Sequence, residues 1–293
     1  MKVLVAGGTG FVGTAIVHAL RARGLDVRVL ARRPEAAAAL GADVVPGDLT
    51  DAGSLAAAVE GCTHVVNLVA ILKGSPEEFR RVMTEGTASL LDAARAAGVE
   101  RFVQMSALGT SEQTKDLVPY YEAKWSIERA VESSGLEYVL VRPSFVFGKD
   151  GGALPTFVRQ VRLSPVVTVI GPGTQRIQPV WLDDLAAFFA TVVDDQRAPG
   201  RIWELGGPDV VTWNELYLAI AGALGKQRRL LHVPFSVART GARLTQWAPG
   251  APLTADQVAM IEAGDNVCSN SDAKDTFGLR LVPLDEQLRR AAA

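Results

Sequence analysis

The sequence has little cysteine, little net charge and no residue spacing typical of a metal site. Its two cysteines, Cys62 and Cys268, stand in no CxxC or Cys/His pattern, so a disulfide scaffold is excluded and reduced thiols are expected. Thirty basic against 32 acidic side chains leave a net charge of −2, which supplies no long-range field for a polyanion. We therefore expect a cytoplasmic protein with no bound metal and no nucleic-acid partner.

The sequence also lacks a long uncharged apolar run that neither glycine nor proline interrupts. Residues 3–20 carry no Asp, Glu, Lys or Arg and follow Lys2, as a signal peptide or membrane anchor would. However, the glycine-rich stretch 6–10 would break an apolar helix, and no small-residue cleavage site follows before Arg21. No transmembrane segment is expected there or elsewhere in the chain.

The first half of the sequence alternates short β-branched runs with helical patterns. The runs are mostly continuous apolar stretches, as in a parallel sheet that is buried on both faces. The predicted strands are residues 3–6, 26–31, 43–46, 64–69, 101–105, 138–142 and 201–205. The predicted helices are residues 10–23, 34–40, 52–60, 76–97, 121–134, 182–193, 213–224, 235–247, 254–263 and 284–292. This order predicts an α/β fold with a doubly wound parallel sheet of the Rossmann type.

A glycine-rich loop joins the first predicted strand to the first predicted helix. Its residues are Gly7, Gly8, Thr9, Gly10, Phe11, Val12 and Gly13. In this context glycines allow a tight turn and a close backbone approach, and a pyrophosphate binds the amides at the helix N-terminus. The alternative is a plain strand-turn-helix connection, but the position inside a βαβ pattern favours a dinucleotide site.

In the second half of the sequence, after Gly148, proline and glycine residues recur at short intervals. We predict a dinucleotide-binding Rossmann domain at residues 1–150, to which residues 177–206 return. Residues 151–176 and 207–293 are predicted to form a smaller C-terminal substrate or cap region.

The end of the second predicted strand carries Arg32 and Arg33 and no acidic residue. An acid at this position bonds the adenosine ribose hydroxyls of NAD(H), whereas a guanidinium clamps the 2′-phosphate of NADP(H). The sequence therefore favours NADP(H) over NAD(H). The alternative is that one or both arginines only begin the next helix in solvent.

Tyr120 and Lys124 stand four residues apart in a helical pattern after the fifth predicted strand, so their side chains share one face. An adjacent ammonium stabilises a phenolate and lowers the pKa of a tyrosine, which suits it to acid–base chemistry. Lys124 is also placed to bond the nicotinamide ribose. Tyr121 makes the register ambiguous, and the alternative is a surface tyrosine and lysine.

Several motifs extend over nearly the whole chain. They are residues 7–13, Gly47-Asp48-Leu49, Tyr120 to Lys124, Arg142-Pro143-Ser144, Gln178-Pro179-Val180 with Asp183-Asp184, and the stretch Pro252-Leu253-Thr254 through Asp265-Asn266-Val267. In these motifs the sequence resembles the extended or atypical short-chain dehydrogenase/reductases of the NAD(P)-dependent epimerase/dehydratase superfamily. Within that superfamily it resembles bacterial relatives of the NADPH-binding accessory subunit of mitochondrial complex I.

The resemblance implies roles for the residues that match the family motifs. The implied cofactor contacts are Asp48 and Leu49 at the adenine, Leu68, Val69 and Ala70 along the cofactor, and Pro143, Ser144 and Phe145 beside the nicotinamide. The alternative for Asp48 is the first turn of a helix that begins there or at Asp51. In the family the tyrosine is the general acid or base, the lysine orients it, and a Ser or Thr hydroxyl bonds the substrate oxygen.

The sequence departs from the family pattern after the fifth predicted strand. Sugar-nucleotide epimerases resembling this chain place the working hydroxyl where Ala107 stands. Ser106 is the candidate that replaces it, and the alternative is a strand-end serine that bonds the backbone.

Three functions follow from these residues and the resemblance. The leading prediction is an NADP(H)-binding oxidoreductase that uses the Tyr-Lys pair on a small-molecule substrate of unknown identity, with a carbonyl, hydroxyl or quinone-type group. The second is a cofactor-loaded structural or assembly subunit with a respiratory-complex or quinone-pathway partner, peripheral at the inner membrane face. The third is a sugar-nucleotide epimerase or dehydratase, which Ala107 disfavours.

Overall fold

A computed structural model describes residues 1–245 and 253–292 of the chain. Pro252 and the end of the helix predicted at 235–247 lie outside the described residues. The chain divides into two compact units. The first unit comprises Met1–Pro143, Leu182–Leu205 and Ser271–Leu279, and the second comprises Ser144–Trp181, Gly206–Asn270 and Arg280–Ala293.

The strands, in chain order, are β1 (Lys2–Ala6), β2 (Asp26–Ala31), β3 (Asp43–Pro46), β4 (His64–Asn67), β5 (Arg101–Met105), β6 (Glu137–Pro143), β7 (Val146–Phe147), β8 (Val166–Ile170), β9 (Arg176–Ile177), β10 (Val180–Trp181), β11 (Arg201–Leu205), β12 (Val211–Thr212) and β13 (Arg229–Val233).

The α-helices are α1 (Phe11–Ala22), α2 (Ala52–Val59), α3 (Pro76–Phe79), α4 (Gly86–Ala96), α5 (Pro119–Glu132), α6 (Leu154–Leu163), α7 (Leu182–Val192), α8 (Trp213–Ala223), α9 (Phe235–Thr245), α10 (Ala255–Glu262), α11 (Ser271–Phe277) and α12 (Leu284–Ala292). A 3-10 helix covers Pro34–Leu40, and a π-helical segment, Arg80–Glu85, joins α3 to α4.

The first unit is built on a seven-stranded sheet in the order β11-β6-β5-β4-β1-β2-β3, with every neighbouring pair parallel. Its central strands β1, β4 and β5 are largely buried because helices pack on the sheet, as the continuous apolar runs predicted. The predicted Rossmann-type α/β fold is confirmed. Strand order reverses between β1 and β4, which is where sheets of this type bind ligands at their carboxyl ends.

The predicted element bounds differ from the structure mainly at strand and helix ends. The fourth strand ends at Asn67 and not at residue 69, because the Asn67 side chain accepts a hydrogen bond from the Val69 amide and turns the chain. Helix α5 begins at Pro119, two residues before its predicted start, since proline suits the first helical position. The Tyr120 side chain therefore lies in the first turn of a formed helix.

The second unit contains paired strands and a separate apolar core. Strand β7 pairs with β10, β9 with β12, and β8 with β13. Edge-on aromatic contacts of Phe157 with Trp213 and Tyr217 join α6 to α8 in the core. The sequence patterns missed α6 and every strand of this unit (β7, β8, β9, β10, β12 and β13), and α11 in the first unit. Proline and glycine flank β8 and β13, and Pro155 stands in the first turn of α6, so only short stretches remain in which a periodicity could be recognised. Helix α11 has only seven residues.

Candidate cofactor and catalytic site

The glycine loop after β1 folds so tightly that side chains would not fit. Gly7 has a φ of +84°, and a Cβ there would lie 3.1 Å from the backbone of Leu68 and Val69. A Cβ on Gly13 would lie 2.1 Å from the Gly7 carbonyl oxygen. The loop therefore keeps the start of α1 pressed against the ends of β1 and β4, as the glycine spacing predicted.

The N-terminus of α1 has no side-chain cap. Gly10 occupies the N-cap position, and no acidic residue stands in the first turn. Thr9 and Gly10 are exposed, while Phe11 and Val12 are half-buried. Because the first amides of a helix need hydrogen-bond acceptors, this end of α1 suits a phosphate group.

The two arginines after β2 are exposed, and Arg32 faces the loop after β3. The side chain of Arg32 is 80% exposed, and its Nε lies 3.9 Å from a carboxylate oxygen of Asp48. The other oxygen of Asp48 accepts bonds from the amide and hydroxyl of Thr50. The N-cap of α2 is Asp51 and not Asp48. One carboxylate oxygen of Asp48 therefore remains directed toward Arg32. Leu49, by contrast, is buried in the core of the first unit.

The residues after β4 adjoin the glycine loop. Leu68 and Val69 are half-buried and Ala70 is exposed, and the Leu68 amide donates to the Ala6 carbonyl. These contacts bring the segment predicted to run along the cofactor next to Gly7.

Buried amides join the ends of β4 and β5. The Asn67 amide nitrogen donates to the Thr87 hydroxyl at 3.0 Å and to the Gln104 side-chain oxygen at 2.9 Å. Gln104 in turn donates to the Met105 carbonyl at 2.8 Å. Sequence reasoning did not find this network, because Thr87 and Gln104 belong to no local motif.

The predicted catalytic pair lies on α5, with both side chains on one face. The Lys124 Nζ is 5.6 Å from the centre of the Tyr120 ring and donates a 2.8 Å hydrogen bond to the Met105 carbonyl at the end of β5. Lys124 is only 1% exposed. The structure thus brings Tyr120 and Lys124 together at the carboxyl end of the sheet.

Burial shifts the pKa of both members of this pair. The pKa of Lys124 falls to about 8 because its ammonium loses hydration, although the carboxylate of Glu128 opposes the shift. Burial raises the pKa of Tyr120 above its usual value. The expected lowering of the tyrosine pKa is therefore not found, because burial and the neighbouring Tyr121 both raise the pKa of Tyr120.

Ser106 follows β5 and is also buried. Its amide donates to the Val141 carbonyl, but its hydroxyl has no hydrogen-bond partner among the described residues. The Thr110 hydroxyl is likewise buried without a partner in that part of the chain. Ala107 is half-buried between them in sequence. A buried hydroxyl without a partner is a group to which a ligand can supply one.

An ion pair that the sequence reasoning missed holds α5 against β6. Both carboxylate oxygens of Glu128 accept hydrogen bonds from Arg142, at 2.8 and 2.7 Å, and Glu128 is completely buried. Glu128 lies one helical turn after Lys124, so this pair fixes the helix that carries the catalytic candidates.

Pro143 ends β6 in the first unit, and the two residues after it belong to the second unit. There the Ser144 hydroxyl bonds the Asn266 side chain at 2.8 Å, and the Phe145 ring packs edge-on against Trp213. The Gln178 side chain similarly bonds the Gly207 carbonyl and the Cys268 amide. The narrower motifs 178–180 and 265–267 thus each supply a side chain that forms a hydrogen bond within the second unit.

The described residues contain no cluster of three His, Cys, Asp or Glu side chains able to hold a metal ion. In residues 1–245 and 253–292 we also find no helix that is long and apolar enough to span a membrane.

Comparison with known proteins identifies the class. Residues 3–206 match the NAD dependent epimerase/dehydratase family, and the chain belongs to it. It is 32% identical to a ceramide reductase of Caulobacter vibrioides over 84% of this chain and 78% of that protein. It is 31% identical to NADH dehydrogenase [ubiquinone] 1 alpha subcomplex subunit 9, mitochondrial, of Arabidopsis thaliana, over 81% of this chain but only 61% of that protein.

Among solved structures, the UDP-glucose 4-epimerase of Thermus thermophilus, in complex with NAD, superposes with a TM-score of 0.76 and is 25% identical. The match covers all of this chain and 98% of that one. The predicted family is confirmed, and the chain is an NAD(P)-dependent protein of the oxidoreductase and epimerase class. The glycine loop fits such a cofactor. Gly7 and Gly13 leave no room for a Cβ, and the absence of side chains there allows the tight turn that brings the loop backbone close to a pyrophosphate.

Proposed function

We propose that this protein is an NADP(H)-dependent oxidoreductase that uses Tyr120 and Lys124 on a carbonyl or hydroxyl substrate. One observation carries the proposal. The Tyr120 ring and the buried Lys124 ammonium are 5.6 Å apart, and a bond to Met105 holds that ammonium at the carboxyl end of the sheet. The same end of the sheet carries the glycine loop.

The cofactor would be held by groups already described. The residues we assign to it in the first unit are Gly7, Thr9, Gly10, Phe11, Val12, Gly13, Arg32, Arg33, Asp48, Leu49, Leu68, Val69, Ala70, Lys124 and Pro143. The α1 amides would bind the pyrophosphate, and the exposed Arg32 would pair with a 2′-phosphate. When bound, NADP(H) supplies or accepts the hydride.

Tyr120 would transfer the proton that accompanies the hydride. In reduction its hydroxyl donates a proton to the substrate oxygen, and in oxidation its phenolate accepts that proton. Lys124, which is protonated below its pKa of about 8, would stabilise the phenolate beside it. Ser106 would hold the substrate oxygen, since its buried hydroxyl has no other partner among the described residues.

Paired tyrosine variants test this function. The protein is assayed for NADPH oxidation with ketones, quinones and long-chain carbonyl compounds, the last because of the similarity to a ceramide reductase. Tyr120→Phe should lower kcat by about 10²-fold or more, the usual scale of general acid–base catalysis. Tyr121→Phe is the control, because its hydroxyl only approaches the Leu108 carbonyl at 3.5 Å. Loss of activity in Tyr121→Phe with full activity in Tyr120→Phe would overturn the assignment.

A second candidate function is a cofactor-loaded subunit of a respiratory or quinone-related assembly, peripheral at a membrane face. The similarity to the Arabidopsis complex I subunit supports it, and the match covers less than two thirds of that protein. Tight NADPH binding without turnover on any tested substrate, together with co-purification of a membrane complex, would favour this candidate. The absent hydroxyl at Ala107 disfavours a sugar-nucleotide epimerase.

A further inference from the structure

Basic residues are unevenly distributed between the two units. The first unit has 18 Lys and Arg against 24 Asp and Glu, whereas the second has 12 against 8. The near-neutral chain is thus a negative unit joined to a positive one. A positive unit has a field that attracts anionic surfaces, although the whole chain has almost none.

Two sequence stretches concentrate that positive charge. Residues 151–181 and 216–255 contain no Asp or Glu at all, and together they contain eight Lys or Arg. They also pair with each other, because β8 comes from the first stretch and β13 from the second. The pairing brings two acid-free segments into one structure.

The β8–β13 ribbon has one buried and one exposed face. Val167 and Val169 of β8 point into the core of the second unit. On the other face Val166 is opposite Arg229, and Thr168 is opposite Leu231. Val166 is 41% and Leu231 is 54% exposed.

The end of α6 adds a further exposed leucine and its basic neighbours. Leu163 is 70% exposed, three residues before Val166. The Lys226 Nζ donates to the Arg162 carbonyl at 3.0 Å, and the Arg228 Nε donates to the Val161 carbonyl at 2.7 Å. These bonds hold both cations beside the last turn of α6.

We define the ribbon face as Leu163, Val166, Arg229 and Leu231 with the flanking Arg162, Lys226 and Arg228. Among the described residues of the second unit, the salt bridges are those of Arg176 with Asp265, Arg239 with Glu262, and the arginines of α12. The cations of the ribbon face are therefore not neutralised by those carboxylates.

We propose that the ribbon face docks on the surface of an anionic phospholipid bilayer. The proposal rests on the second candidate function, a protein peripheral at a membrane face, and names the surface that would contact the membrane. It does not depend on the Tyr120 chemistry. Exposed leucines and a valine among arginines match the bilayer interface, which takes apolar side chains at the acyl boundary and binds cations at the lipid phosphates. A nucleic acid would use the cations and gain nothing from the leucines.

Vesicle binding by the whole 293-residue chain tests the proposal without any enzyme assay. The protein should sediment with vesicles that contain equal amounts of phosphatidylglycerol and phosphatidylcholine. It should not sediment with vesicles of phosphatidylcholine alone. Raising the salt concentration should weaken the binding. Arg228→Glu with Arg229→Glu should reduce affinity by about tenfold or more, given the attraction that each basic residue contributes near an anionic surface.

The apolar contribution has its own pair of variants. Leu163→Asp with Leu231→Asp should lose binding, while Leu72→Asp should retain it, because Leu72 is 65% exposed on the first unit. Thermal unfolding and NADPH binding report whether each variant is folded. The proposal is overturned if the wild type ignores phosphatidylglycerol, or if folded ribbon-face variants bind as well as Leu72→Asp.

Discussion

The Lys124 ammonium donates a hydrogen bond of 2.8 Å to the backbone carbonyl of Met105, 19 residues earlier in the chain. This bond links helix α5 to the end of β5. It leaves a cation with almost no solvent contact beside Tyr120. A buried cation held by one carbonyl is readily deprotonated, and its effect on stability depends on pH.

The buried Lys124 predicts that the folded protein gains stability between pH 8 and pH 10. Its pKa is about 8 in the folded chain against an ordinary 10.5, so in this range the unfolded chain keeps a proton that the folded chain releases. The free energy of unfolding should rise by about 2 kcal/mol more in the wild type than in Lys124→Met. Guanidinium unfolding at both pH values measures the difference, and identical pH dependence in the two proteins would contradict the prediction.

Gly13→Ala should abolish dinucleotide binding and destabilise the protein. The added Cβ would lie 2.1 Å from the Gly7 carbonyl oxygen, so the loop or helix α1 must move. Gly222→Ala in α8 is the matched control, because a Cβ there meets nothing within 4 Å and alanine favours a helix by about 1 kcal/mol. Calorimetry with NADPH and thermal unfolding check both variants. Normal NADPH affinity in Gly13→Ala would exclude the glycine loop as the cofactor site.

Arg32→Ala should weaken NADPH binding about tenfold or more and leave NADH binding nearly unchanged, since only NADPH carries the 2′-phosphate. The Arg32 side chain is 80% exposed, so its removal leaves no cavity. Titration of each variant with both nucleotides measures the ratio of the NADPH and NADH affinities. Comparison with Arg33→Ala shows which of the two arginines binds the 2′-phosphate. Equal losses for the two nucleotides in Arg32→Ala would remove the case for a phosphate clamp.

Glu128→Gln should destabilise the protein by about 3 kcal/mol, because the largely buried Arg142 would lose its two short bonds to a carboxylate and keep only the 3.5 Å contact with Glu204. It should also lower kcat, since α5 carries both Tyr120 and Lys124. Glu132→Gln is the control, because its carboxylate is partly exposed and should change stability by less than about 1 kcal/mol. Denaturant unfolding and the NADPH assay give the two readouts. Equal stability losses in the two variants would show that burial of the Glu128 pair has no special role.

Much of the first unit could be predicted because its signals are local. The apolar runs, the glycine spacing and the four-residue separation of Tyr120 and Lys124 each depend on neighbouring residues. The second unit was harder to predict. Strand β13 lies next to the basic residues Lys226 and Arg228, and α6 follows a Gly-rich stretch, so neither has a clear flanking signal.

The sequence by itself determined the fold class, the glycine turn and the single helical face shared by Tyr120 and Lys124, because backbone sterics and helical periodicity act over a few residues. Only the tertiary structure decided that Met105 holds Lys124, that Arg142 neutralises Glu128, and that the Ser106 hydroxyl has no partner among the described residues. It also decided which strands pair, and so brought two acid-free segments together at the ribbon face. These relationships join residues far apart in sequence, where packing and strand pairing select the partners and local propensity does not.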